Sequence, residues 1–535
     1  MNYLTIDDAA AWASRFTKKK VTPSNISYLI QYGRIKKHSK SGATVVSQEE
    51  LKQYYTSYMN DLQSKFTEKL GEDINWSLAF HKVKEKETTK HVHRLHPYKG
   101  KFIPQLVEYF LDQHTDDFKK EVFFQPGDIV LDPFCGSGTT LVQANELGIH
   151  SIGIDVSVFN CLMTKTKLAE YNLRSVSEWA KRIEQAIVKQ STMSKVDEFD
   201  SRLNDFISSL NKEHFPSPDY KYNLAQGLIN EEDYVPEVMA QVNDQYEKLL
   251  QEYNFEVHGE VTQSSFEAQR GVTQSAFLNT WFADNVLQEA MAAKDVLEDM
   301  PSEEEKELLM LILSRTLRSC RTTPHYELER LNTPVSGPYY CYKHMKVCRP
   351  VLSMLRMYRR YAKDTIKRLK EFNELRTAGC FSVLAGDARE IDIFSEVSKN
   401  NQGLFRLLKD KKIQGIFTSP PYLGQLNYHE QHQYAYEFFG LKSHEDLEIG
   451  IADQGKGLQA RKDYIEGVSD VLLNCSRFLA DDCHIFVVAN DTYDLYHDIA
   501  ERSNLTIVQE FKRPVLNRTS RDRNAYGETI FYMKR

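Results

Sequence analysis

Residues Thr418-Ser419-Pro420-Pro421-Tyr422 place a hydroxyl, two prolines and a ring directly after a short apolar run, Gln414-Gly415-Ile416-Phe417. Proline has no N–H and fixes its φ, so carbonyls around Pro420 and Pro421 are free to accept bonds from a substrate. The face of Tyr422 is a surface on which a planar base can stack. Such a wall suits an exocyclic amine that must give up its conjugation and act as a nucleophile. Turn chemistry alone does not separate this reading from an ordinary strand-to-loop turn.

A second cluster separates them. Asp128-Ile129-Val130-Leu131 reads as a buried strand. It runs into Asp132-Pro133-Phe134-Cys135-Gly136-Ser137-Gly138-Thr139-Thr140 and then a helical stretch from Leu141 to Leu147. Strand, glycine-rich turn and helix form a nucleotide cradle: glycines let the backbone approach a ligand, and the helix start presents N–H groups. The next strand, Ser151 to Ile154, ends at Asp155, an acid placed to bond ribose hydroxyls. A third glycine and a P-loop lysine are both missing, which argues against a dinucleotide or a triphosphate.

With both clusters in view, the chain resembles an S-adenosylmethionine-dependent DNA amino-methyltransferase, with the serine form of the catalytic motif closer to the cytosine-N4 branch than to the adenine-N6 branch. The resemblance implies a cofactor site of Asp132, Pro133, Phe134, Gly136, Gly138, Thr139, Thr140 and Asp155. It adds Lys101 and Phe102, from the run His96 to Pro104, beside the methionine end, and Asp387, from Gly386-Asp387-Ala388-Arg389, near the adenine. It implies catalysis by Ser419, Pro420, Pro421 and Tyr422: the ring stacks on a flipped-out base, and Ser419 with the Pro420 carbonyl accepts bonds from the amine. S-adenosylmethionine is the implied cofactor and double-stranded DNA the implied substrate, with a cognate restriction endonuclease or defence protein as candidate partner. Rival readings are adenine-N6 methylation, methylation of an RNA base, and a DNA-binding regulator with an inactive core. Intact Gly136, Gly138, Asp155 and Ser419 count against the last.

The implied fold is α/β: a Rossmann-like methyltransferase sheet with a large, mostly helical insert, plus a small N-terminal winged helix-turn-helix. Expected boundaries are 1–58 for the winged helix, 59–90 for a charged connector, and 91–175 for the cofactor half. The insert, taken as target recognition, spans 176–376, and the catalytic half spans 377–535. Hydrophobic content of 41% suffices for ordinary cores. No apolar stretch approaches the ~20 residues of a membrane span, and Met1 to Phe16 lacks a signal core, so a cytoplasmic protein is expected. Eight scattered cysteines without a Cys-x-x-Cys pair read as reduced thiols and no metal site. Cys135 reads as a tolerated small residue, and the Pro-Cys dipeptide of carbon-5 cytosine enzymes does not occur.

Net charge is −7, but residues 1–101 hold 18 Lys+Arg against 10 Asp+Glu, so +8 sits there and −15 in the remainder. A local basic surface is the footprint of nucleic-acid binding. Within it, Thr5 caps a helix through Asp7, Ala9, Ala10, Trp12 and Phe16. Thr22 caps a second with Pro23 at its first position, ending at Gly33. Two strand candidates flank Ser41-Gly42-Ala43, and a helix follows from Gln48 to Tyr58. Lys20, Ser24, Asn25, Tyr28 and Arg34 would then face a DNA groove, a helical protein-interaction module being the rival. From Lys343 to Arg376, 11 Lys+Arg stand against 3 Asp+Glu, with Val351, Leu355, Tyr358, Ala362 and Ile366 at helical spacing. That face reads equally as solvated or as phosphate-binding. His91, His93 and His96 lack neighbouring ligands in sequence and read as surface or DNA-facing. Arg518, Arg521 and Arg523 read as a basic loop before the last strand.

Overall fold

Short β-branched and aromatic runs pair into one large sheet in the computed structural model, which describes residues 2–17, 21–31, 33–40, 43–80, 83, 85–253, 272–327, 331–516 and 525–535. Twelve strands are present among these residues: β1 Tyr3–Thr5, β2 His38–Lys40, β3 Ala43–Ser47, β4 Ile129–Asp132, β5 His150–Asp155, β6 Tyr339–Cys341, β7 Lys346–Cys348, β8 Phe381–Ala385, β9 Ile413–Thr418, β10 Leu479–Ala489, β11 Thr506–Pro514 and β12 Gly527–Lys534. The large sheet has the order β11-β12-β10-β9-β4-β5-β8. Its β8, β5, β4, β9 and β10 are mutually parallel, and β12 runs antiparallel between β10 and β11.

Both faces of this sheet are covered. Ile129, Leu131, Ile152, Ile154, Ile416, Ile485 and Val487 belong to one apolar core. Val130, Phe417, Phe486, Val488 and Ile530, from alternate positions, belong to another. Continuous apolar strands are what a sheet buried on both sides demands. From β4 the chain builds outward through β5 and β8 on one side and through β9 and β10 on the other. The crevice at such a reversal, outside the carboxyl ends of the strands, is where open α/β sheets bind ligands. Asp132, Asp155, Gly386 and Ser419 all sit at or just past those ends.

The chain divides into two compact units. The first comprises Phe66–Glu184, Ala293–Arg318 and Met357–Arg535 and contains the large sheet. The other comprises Met1–Lys65, Gln185–Ala292 and Ser319–Arg356. In it, the helices Ile6–Thr17 and Pro23–Gln31 pack Ala9, Ala13, Ile26 and Leu29 against Val46 of the sheet β1-β3-β2. The caps follow the sequence: the Asp8 N–H donates to Thr5 Oγ1 at 3.2 Å, and the Asn25 N–H to Thr22 Oγ1 at 3.3 Å. Strand β1 was not foreseen, and the helix starting at Gln48 continues to Leu70. Between β5 and β8 the described residues are mostly helical, and Leu203, Val238, Val242 and Tyr246 form a separate core there. No helix among the described residues is long and apolar enough to cross a membrane.

Gly415 sets the closeness of β9 to β10. A Cβ built there would meet the His484 carbonyl oxygen at 2.0 Å and Phe124 at 2.9 Å. Gly415→Ala is therefore expected to cost about 3 kcal/mol, at the upper end of core overpacking. Urea unfolding of purified wild type and variant measures it, and a difference below about 0.5 kcal/mol, the range of neutral surface changes, would refute the strand spacing.

Candidate active site

Two carboxylates at strand ends organise the site. Asp132 closes β4 and is 2% exposed. Its Oδ1 accepts from Thr418 Oγ1 at 2.6 Å and from the Phe134 N–H at 3.2 Å. Asp155 closes β5; its Oδ2 accepts from the Gly136 N–H at 2.8 Å. Its Oδ1 accepts from the Ser157 N–H at 2.8 Å and from Asn160 Nδ2 at 3.1 Å. Burial raises both acids from the usual 3.8 to about 6, with these hydrogen bonds working the other way.

Between the carboxylates the loop must turn with left-handed glycines, Gly136 at φ 48° and Gly138 at φ 73°. A Cβ on Gly138 would lie 2.5 Å from Thr164 Cγ2, and one on Gly136 2.8 Å from the Tyr98 hydroxyl. Glycine is therefore required sterically as well as conformationally. Beneath the loop, the fully buried Lys167 ammonium donates to the Ser137 carbonyl. Burial lowers that ammonium's pKa well below its ordinary value.

One cavity collects these groups. Its wall includes Lys101, Phe102, Asp132, Pro133, Phe134, Gly136, Thr139 and Asp155, then Asp387, Ser419 and Pro421. Gly138 and Thr140 lie behind it, with Thr140 Oγ1 donating to the Phe417 carbonyl at 3.3 Å. Pro420 is buried off the wall. Tyr422 opens instead onto a neighbouring cleft with Gln425, Lys456, Asn490 and Tyr493, and its hydroxyl donates to Glu528 Oε1 at 2.9 Å. Asp387 is clasped by Arg389, whose Nη2 lies 2.6 Å from Oδ2.

The wall also holds Tyr98, from the run His96 to Pro104, and three residues outside the motifs: Ser157, Asn160 and Glu448. Glu448 accepts from the backbone N–H groups of Tyr428 at 3.1 Å and His429 at 2.7 Å, and from the His429 ring. Only its placement in the fold reveals it. Four carboxylates thus line the cavity against one lysine, Lys101, which burial lowers to about 8 and whose Nζ donates to the His93 carbonyl at 2.7 Å. This is a surrounding suited to a cationic ligand with a polar end.

Of the proposed DNA-facing residues, Ser24, Asn25, Tyr28 and Arg34 are exposed, and Lys20 lies outside the described residues. Asn25 Oδ1 is already committed to the Thr22 N–H at 2.8 Å. Arg518, Arg521 and Arg523 also lie outside them. The histidines correct an expectation: His91, His93 and His96 are all buried, at 3%, 1% and 1% exposure. His91 Nε2 lies 2.9 Å from Glu146 Oε1, an acid brought in from the helix Thr139–Glu146. Three of the seven basic side chains on the helix Leu355–Asn373 are in ion pairs, Arg359 with Glu184 at 2.7 Å, Lys367 with Glu371 at 3.7 Å and Arg368 with Asp364 at 2.9 Å, the last acid being shared with Arg315 of the helix Glu303–Ser319.

A family model described as DNA methylase matches residues 8–166. The chain is similar over nearly all its length to the Type II methyltransferase M.MjaII of Methanocaldococcus jannaschii, 44% identical over 533 residues, which cover 99% of this chain and 96% of that one. Shorter stretches resemble two further Type II methyltransferases. M.MvaI of Kocuria varians is 34% identical over 113 residues, covering 21% of this chain and 23% of that protein. M.BsoBI of Geobacillus stearothermophilus is 36% identical over 94 residues, covering 17% of each.

The raised carboxylates make a pH prediction. An acid whose folded pKa lies above its unfolded value holds its proton more tightly in the native state. Its contribution to stability is full below the unfolded pKa and is lost as pH rises through the folded one. For Asp132 the window runs from 3.8 to about 6. Asp132→Asn, which is never charged, should gain stability over wild type as pH rises through that window, by at most about 3 kcal/mol, and then level off. Denaturant unfolding of both proteins between pH 4.5 and 7.5 checks it; a constant difference across the range would contradict the assignment.

Proposed function

The chain belongs to the Type II DNA methyltransferases, and we propose that it methylates the exocyclic N4 amine of cytosine at a specific site in double-stranded DNA. Methyltransferases of this family take their methyl group from S-adenosylmethionine. The observation that carries the reading is the sharing of one wall by Ser419, Pro421, Gly136 and Asp155.

Asp155 and the Gly136 loop hold the ribose and backbone side of the cofactor, and Asp387 the adenine. Phe102 and Lys101 flank its methionine end. The residues fit such a group: Gly136 lies on the wall, where a Cβ would press on Tyr98, and the surrounding acids favour a sulfonium. When bound, S-adenosylmethionine would supply an electrophilic methyl to the amine, its sulfonium leaving as a neutral thioether and the amine's proton passing through Ser419 or to solvent, with no covalent enzyme intermediate. The protein's part is positioning and electrostatics. Tyr422, its hydroxyl anchored on Glu528, offers its ring to a base extruded from the stack. Ser419 and the Pro420 carbonyl accept from the amine and localise its lone pair. Serine in this position, where adenine-N6 enzymes usually carry Asp or Asn, favours cytosine.

We assign residues 1–58 to a winged helix-turn-helix, with Lys20, Ser24, Asn25, Tyr28 and Arg34 toward DNA. The helix Pro23–Gln31 followed by the β2–β3 ribbon, with an exposed face at Ser24 and Tyr28, supports this assignment. Residues 59–90 act as connector and 176–376 as target recognition. The inclusion of Met1–Lys65 with Gln185–Ala292 in one compact unit supports a joint role in binding. Residues 91–175 and 377–535 are the two catalytic halves, and a cognate restriction endonuclease or defence protein is the candidate partner.

Nucleoside mass spectrometry of DNA from cells expressing the protein is expected to show N4-methylcytosine above host background. N6-methyladenine as the sole new product would overturn the base assignment. Ser419→Ala should lower kcat by roughly 10- to 1,000-fold with little change in cofactor affinity, because the lost acceptor acts mainly in the transition state. Unaltered kcat in single-turnover assays would remove Ser419 from the mechanism.

A further inference from the structure

Outside the catalytic cavity, the described residues bring two imidazoles and two thiols together at the β6–β7 hairpin. Cys341 ends β6, Cys348 ends β7, and His344 lies on the turn between them. His325 comes from the loop that follows the helix Glu303–Ser319. One ligand atom from each of the four lies within 4.8 Å of every other. We propose that His325, Cys341, His344 and Cys348 bind a single zinc ion in a closed, four-ligand structural site.

Local geometry converges on this cluster. The N–H groups of His344 and Met345 both donate to the Cys341 carbonyl, at 3.0 and 2.6 Å, and Met345 adopts a left-handed φ of 52°. That tight turn folds His344 back beside Cys341. His344 Nδ1 lies 3.4 Å from Cys348 Sγ, and the rings of His325 and His344 are 4.7 Å apart. His325 is oriented from behind. Its backbone N–H donates to the Tyr339 hydroxyl at 3.1 Å, and its Nδ1 pairs with the same oxygen at 2.9 Å. Nε2 is thereby left for the cluster, the arrangement by which a neighbouring group fixes a metal-binding imidazole.

The hairpin itself has a reason to need a clamp. Its strands are three residues each, and a two-stranded ribbon of that length is marginal alone. Tyr340 and Val347, paired across the ribbon, face a helical core, and Asn211 exchanges two 2.9 Å bonds with the Val347 backbone. Cys341 and Cys348 point to the opposite face by strand alternation, where joining the four ligands would add to the Tyr339–His325 bonds that already tie that face. Two thiolates and two imidazoles are a tetrahedral donor set that selects zinc over magnesium or calcium, which take oxygen ligands. With four protein ligands no position is open for chemistry, so the role is to fix the hairpin. The Cys-x2-His-x3-Cys spacing, with His325 upstream as the fourth ligand, contains no Cys-x-x-Cys pair, the pattern whose absence underlies the expectation of no metal site.

The test is independent of which base is methylated. Full-length protein purified without chelator is expected to carry about one zinc per chain by elemental analysis, falling below about 0.2 in Cys341→Ser and Cys348→Ser. Because these variants can misfold, the wild type is also stripped of metal and titrated with Co2+. A tetrahedral thiolate spectrum saturating at one equivalent supports the site, and its absence overturns the proposal. So does less than about 0.1 zinc in fresh wild type, or intact-mass detection of a Cys341–Cys348 disulfide as the native state.

Discussion

The hydrogen bond from Thr418 Oγ1 to Asp132 Oδ1, 2.6 Å long and buried, joins the ends of β4 and β9. These are the two strands that meet where the sheet order reverses. Everything at the site departs from that pair. Asp132 begins the glycine loop, which Asp155 grips at Gly136. Thr418 leads straight into Ser419. A carboxylate in such a place carries a large desolvation cost, and its hydrogen-bond donors offset only part of it; the result is an acid held near pH 6. The balance is tolerable because the strands around it bury apolar side chains on both faces.

Charge explains why the rest of the cavity looks as it does. Asp387 is neutralised by Arg389, and Lys101 is weakened by burial and committed to a carbonyl. The field at the Gly136 loop is left to Asp132, Asp155 and Glu448. The insert spends its basic residues differently. Along the helix Leu355–Asn373, Arg359 meets Glu184, Lys367 meets Glu371 and Arg368 meets Asp364, so three of the seven basic side chains in a run that reads in sequence as a cationic face are paired in space.

Elements legible in the sequence were those whose signals are local. Short, mostly apolar runs located β4, β5 and β9 to within a residue or two, because a strand buried on both faces carries mainly apolar positions. Thr5 and Thr22 located helix starts because a cap is a three-residue affair. Features made by tertiary meeting were not legible. The His91–Glu146 contact joins residues 55 apart in the chain. Glu448 reaches the cavity by bonding the backbone of residues 428 and 429. Lys167 shows no sign in sequence that it lies under the loop. Tyr422 was singled out as a ring after Pro-Pro, but its opening onto a second cleft, with its hydroxyl on Glu528 in β12, is a tertiary feature.

The Asp132–Thr418 bond links the cofactor loop and the catalytic loop into one rigid object. Thr418→Val tests this most directly: valine matches threonine in shape, and Thr418 does not line the cavity. Calorimetric titration with S-adenosylmethionine should show affinity weakened by roughly 10-fold, the worth of one hydrogen bond to a buried charged acceptor. The same affinity in Thr418→Val and wild type would show that the two loops hold their positions independently, and would contradict the account.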